Sequence, residues 1–148
     1  MSVFADTEQF YAAMRMLFDQ IREQDSGSTG AVTASHLIIR LRCISPQGEI
    51  NINGRQAALH IEYGPSPVRP DLDVELTGNA LHQILMAELP LKKALAGGQM
   101  RVRGPLMKIF ALEEILHHGQ ALYPEVARRL GLDGYHPAAG RVTGGSYS

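Results

Sequence analysis

The chain has 148 residues, near the commonest domain size of about 100 to 150, enough to bury roughly 70% of the unfolded surface without a disulfide or metal staple. Fourteen Lys and Arg against fifteen Asp and Glu give a net charge of -1, which excludes the global positive field of a polyanion-wrapping protein, so no nucleic-acid partner is expected. The single cysteine, Cys43, can form no internal disulfide, and Met1 to Asp6 carry neither a basic nor an apolar leader, so the expected setting is reducing and cytoplasmic.

Asp6 is a candidate N-cap with Gln9 three residues on, and Phe10, Met14, Leu17 and Ile21 follow at helical spacing, which predicts an amphipathic helix over 7–24. The small-residue stretch 25–35 reads as a flexible connection, so residues 1–35 are expected to form a separate helix and linker. From His36 the period changes to two. Leu37, Ile39, Leu41 and Cys43 predict one strand, Ile50 and Ile52 a second, and Leu59, Ile61 and Tyr63 a third, with turns at Ser45-Pro46-Gln47-Gly48 and at Asn53-Gly54, the latter a tight-hairpin signal. Gly64 to Pro70 holds three prolines and reads as a loop. Leu72, Val74 and Leu76 alternate with Asp71, Asp73 and Glu75 in a fourth strand. Met100 and Val102 alternate with Arg101 and Arg103 in a fifth. Between these two lie a helix over 79–87 and a shorter one over 90–97, stopped by Gly97-Gly98. Pro105 is expected to open a helix through His118, stopped by Gly119, and Pro124 a last one ending near Gly131. Residues 132–148, rich in glycine, are expected to be a disordered tail. The predicted fold class is α+β: a five-stranded, mostly antiparallel sheet with helices packed on one face and charge on the other.

Catalytic chemistry is hard to assemble from these residues. The histidines (36, 60, 82, 117, 118 and 136) show no metal-ligand spacing, so no metal is expected. His117 and His118 are adjacent and point about 100° apart; placed in the last turn of a helix, they would complement its dipole. His60 falls on a charged strand face. Glu113 and Glu114 do not converge on one point, and Asp71, Asp73 and Glu75 face arginines 40, 42, 101 and 103 across neighbouring strands, which is ordinary sheet pairing. Cys43 is a strand residue rather than an activated thiolate. No nucleophile elbow, phosphate loop or dinucleotide fingerprint occurs. No catalytic residue and no cofactor is expected.

Two features exceed what a bare fold needs. Leu106-Met107-Lys108-Ile109-Phe110-Ala111-Leu112 is apolar around nearly the whole helix, so a second face must also leave water, against the core, another subunit or an apolar ligand. Between Glu88 and Glu113 there is no acid, while Lys92, Lys93, Arg101, Arg103 and Lys108 lie there. An apolar segment rimmed by Lys92, Lys93 and Lys108 suits an anionic head group or membrane surface.

The run Arg69-Pro-Asp-Leu-Asp-Val-Glu-Leu-Thr77, the helix with Leu81 and Leu85, and Leu91-Lys-Lys-Ala94-Leu-Ala-Gly97-Gly-Gln-Met-Arg-Val-Arg-Gly104 before an apolar helix resemble the sterol carrier protein type 2 family. The resemblance covers roughly residues 36 to 118 and implies a lipid-binding domain over 36–131. It implies an apolar tunnel for a sterol, fatty acid, acyl-CoA or isoprenoid-type lipid, without covalent chemistry. Carried over by position, the tunnel would be lined by Leu81, Leu85 and Met86 of the first inserted helix, Met100 and Val102, and Leu106, Met107 and Phe110. The chain departs from the pattern in lacking an aromatic residue beside Ile50 and Ile52 and in carrying Pro105 after the closing glycine. The alternative reading is an accessory or dimerisation protein, a homodimer or the partner of an enzyme handling a lipid or quinone intermediate.

Overall fold

In the computed structural model, residues 2–24, 36–55 and 60–134 are described. Helix α1 (Thr7–Gln24) is followed by β1 (Ile38–Ile44), β2 (Gln47–Asn53), β3 (His60–Tyr63) and β4 (Leu72–Leu76). Two helices, α2 (Gly78–Leu85) and α3 (Leu91–Ala96), precede β5 (Met100–Arg103). A 3-10 turn, Leu106–Lys108, then leads into α4 (Ile109–Arg129).

The five strands form one sheet in the order β3-β2-β1-β4-β5. β1 runs parallel to β4, pairing Ile39 with Leu72 and Leu41 with Val74, and the other neighbours are antiparallel. A parallel neighbour needs a crossover, supplied by β2, β3 and the proline-rich loop. That loop is tied to β2, where the Gly64 carbonyl and the Glu49 carboxylate both accept from the Asn51 amide at 3.2 Å, and Asn51 is buried.

Alternation puts Ile39, Leu41, Cys43, Ile50, Ile52, Leu72, Val74, Leu76 and Met100 on one face, all buried with the helices in one core. The predicted α1 is present and capped as its sequence implies. The Asp6 carboxylate accepts from Gln9 N at 2.9 Å, and the Gln9 side chain accepts from Ala5 N at 2.6 Å. It is not the separate arm expected from the sequence. Phe10, Ala13, Met14, Leu17, Phe18 and Ile21 are all buried, and the helix packs on α4 and β2. The preceding residues are anchored too, with Phe4 fully buried and the Val3 amide donating to Asn79 Oδ1 at 2.7 Å. The linker expected over 25–35 lies outside the described residues.

Three local expectations need correction. First, Gly119 and Pro124 do not divide two helices, because α4 runs through both. A Cβ on Gly119 would stand 2.9 Å from Leu85 Cδ2 and 3.7 Å from Leu17 Cδ2. Glycine there admits close approach of α2 and α1, and the stripe Leu112, Ile115, Leu116, Tyr123, Val126 and Ala127 continues past it into the core. Burial of that stripe outweighs both helix-breaking signals. His117 and His118 therefore sit in mid-helix, and Arg128 and Arg129 occupy the last turn. Second, Asn53 pairs with His60, so six residues separate the strand ends and no two-residue hairpin forms at Asn53-Gly54. Leu59, expected in this strand, lies outside the described residues. Third, Leu132, assigned to the tail, is buried and its amide donates to the Ala127 carbonyl at 2.7 Å. Residues 135–148 lie outside the described set.

Candidate functional site

The helix α2 is started by Thr77, whose hydroxyl accepts from Ala80 N at 3.1 Å, and it delivers Leu81 and Leu85 into the core at 1% and 2% exposure. Met100 of β5 lies equally deep. Met86 and Val102 are partly buried against the same core. Met107 and Phe110 differ sharply: they are 84% and 68% exposed. The side chain of Leu106 lies outside the described set. Thus seven of the eight predicted lining residues can be placed: three lie deep in the core, two are partly buried and two are exposed. Lys92 and Lys93 are exposed on α3, whose end feeds β5 at Met100, whereas Lys108 follows the opposite end of that strand.

The solvent-side face of β1, β4 and β5 carries the cross-strand charges predicted from sequence. Arg40 meets Asp73 at 2.6 Å, and Arg42 meets Asp73 at 3.2 Å and Glu75 at 4.0 Å. Burial alone would push the Asp73 carboxyl up. The Arg40 hydrogen bond and charge, with Arg42 and Arg103 nearby, outweigh it and hold the group below its ordinary value. Arg101 and Arg103 stand opposite Glu75 and Asp73 in register, but neither comes within ion-pair distance of an acid among the described residues. Asp71 is taken by Arg55, at 2.9 Å to both oxygens, and also accepts from Ile38 N at 2.9 Å.

One buried polar pair escaped the sequence reading. His82 and Tyr123 are fully buried and share a 2.7 Å hydrogen bond between Nδ1 and the phenol oxygen, joining α2 to the far half of α4. Burial pushes the Tyr123 phenol well above its ordinary value. The signal was concealed because Tyr123 belongs to the half of α4 that Gly119 and Pro124 seemed to detach. Tyr63 is also raised, to about 12, by burial first and by Asp19 second, against Arg15 and Arg22; the Arg15 guanidinium lies 4.5 Å from its ring centre.

The remaining candidates stay apart. Cys43 is buried, and burial pushes its thiol up, the reverse of activation. Glu113 and Glu114 are exposed, and His60 is an exposed strand residue facing Glu62 at 3.3 Å. No group of three His, Cys, Asp or Glu among the described residues could hold a metal ion. A cleft of about 430 Å3 opens at the β1–β2 turn, beside Tyr11, Arg42, Ile44, Gln47, Glu49 and Pro65. It includes none of the predicted lining residues. No helix among the described residues is long and apolar enough to cross a membrane.

No protein-family model matches the sequence, and no curated protein matches it significantly. Solved structures do. A sec-alkyl sulfatase double mutant aligns with TM-score 0.51 and 20% identity over 59% of this chain, which spans only 14% of that enzyme's chain. The apo form of sterol carrier protein 2 from Yarrowia lipolytica aligns with TM-score 0.57 and 17% identity, over 81% of this chain and 95% of that one. The sterol carrier protein domain 2 of Helicoverpa armigera aligns with TM-score 0.57 and 15% identity, over 73% and 85% respectively. With its mixed five-stranded sheet, helix-covered on one face, the chain has the sterol carrier protein 2 fold.

Proposed function

We propose that this protein is a non-catalytic binder and carrier of an apolar ligand, a sterol, fatty acid, acyl-CoA or isoprenoid-type lipid. The observation that carries the reading is the gradient of apolar residues from Leu81, Leu85 and Met100 in the core, through Met86 and Val102, to Met107 and Phe110 in water. It lies in a fold shared with structures named as sterol carriers. A lipid chain that entered among these residues would be held by apolar burial, at roughly 25 cal/mol per Å2 of apolar surface removed from water. Lys108, at the surface end of the gradient, would orient an anionic head group, as would Lys92 and Lys93 if the ligand reaches α3.

Uptake of a fluorescent fatty acid by the full chain, without vesicles, tests this. Saturable uptake displaced by unlabelled lipid is expected, with loss in Phe110→Asp. Absence of saturable uptake would overturn the carrier reading, and unchanged uptake in a folded Phe110→Asp protein would remove Phe110 from the lining. A second reading, an accessory or dimerisation protein for an enzyme handling a lipid or quinone intermediate, draws on the exposure of Met107 and Phe110. Light scattering that shows a monomer at every concentration removes its homodimer form.

A further inference from the structure

We propose that the tip formed by Met107 and Phe110 is a docking surface for an anionic lipid bilayer. These two side chains are the most exposed large apolar residues described, at 84% and 68%, against 48% for Ile44 and 41% for Val68. Their position follows from the backbone. Gly104 adopts φ +130 and passes so close to β4 that a Cβ there would lie 2.5 Å from the Asp71 carbonyl oxygen. β5 therefore ends beside the start of β4, and Pro105 and the 3-10 turn carry the chain onward from that point.

The charge at this end of the sheet is unbalanced. Asp71 is occupied by Arg55, and Asp73 by Arg40 and Arg42. Arg69, Arg103 and Lys108 have no ion pair among the described residues. There is no acid from Leu89 to Leu112, and the first acids after the tip, the exposed Glu113 and Glu114, stand one turn beyond Phe110 on α4. Phe and Met side chains enter a head-group region without needing a shaped pocket, and adjacent basic residues add attraction to anionic lipid.

The occupant follows from that charge and from size. A second copy would bring the same cations face to face. Two protruding side chains fall far short of the roughly 800 Å2 per partner that a stable protein interface removes from water, whereas a bilayer surface has no such requirement. The amphipathic helix α1 is not the anchor, because its apolar stripe is committed to the core. Docking does not depend on an occupied cavity, so it stands or falls separately from the carrier reading.

Co-sedimentation of the full chain with phosphatidylcholine vesicles, and with vesicles containing phosphatidylglycerol as well, is the test. Binding is expected to the anionic vesicles only and to weaken with salt. M107S/F110S should lower the partition coefficient roughly tenfold or more, and Lys108→Gln about fivefold. Both exposed side chains can be changed without opening the core, and circular dichroism checks that the variants fold. Equal binding to both vesicle types, no binding to anionic vesicles, or an unchanged partition in M107S/F110S would overturn the proposal. So would a dimer that the double variant abolishes, or polyglutamate binding the tip as tightly as the vesicles do.

Discussion

On one face of the sheet, Ile39, Leu41, Ile50, Val74 and their neighbours are sealed by α1, α2 and α4. On the other, Arg40 and Arg42 lie against Asp73 and Glu75, while the proline-rich loop crosses Asn51 and Glu49. The same strands present both faces on successive residues, yet the first is held by removal of apolar area from water and the second by charge pairs that water and salt weaken. Stability should therefore be concentrated on the helix face, with the polar face setting its dependence on pH.

Substitutions on the two faces should separate these contributions. Leu41→Ala, on the central strand with 2% exposure, should lower unfolding free energy by about 3 kcal/mol in a denaturant titration, from lost burial and the cavity left behind. Gly119→Leu should cost about 2 kcal/mol, because α4 can no longer sit against Leu85 and Leu17. Tyr123→Phe keeps the ring and removes the bond to His82, and should cost about 1 kcal/mol. Asp73→Asn on the polar face should cost less, about 0.5 kcal/mol at neutral pH.

Asp73 also gives the comparison its pH signature. A carboxyl held below its ordinary value contributes stability above that value, and loses it as pH falls through the lower folded-state value. The native chain should lose this increment below about pH 4, and Asp73→Asn should flatten that part of the stability curve. A variant curve that superimposes on the native one would show that the Arg40–Asp73 pair contributes nothing.

How much of this was legible in the sequence follows the same division. Period-two alternation located the strands and both faces, since one residue of slip would exchange them. The acid-arginine pairing was also readable, although Asp71 chose Arg55 over the strand arginines. The parallel neighbour of β1 carries no local signal, because it is set by a crossover spanning two strands and a loop. Gly119 and Pro124 misled because each is a sound local breaker, overridden by a stripe whose burial depends on α1 and α2 being in place. The burial of α1 was hidden for a similar reason: amphipathicity shows that a helix needs a partner, not which partner it finds. Leu81, Leu85 and Met100 could be chosen as apolar inner residues, but the contrast with the exposed Met107 and Phe110 emerged only from the path of the chain after Gly104.

Native mass spectrometry of the purified full-length protein, before and after incubation with a fatty acid, a sterol and an isoprenoid quinone, puts the carrier reading to the test. A reproducible one-to-one adduct, released and identified by organic extraction, is the expected result. An unchanged apo mass with all three lipids would contradict it.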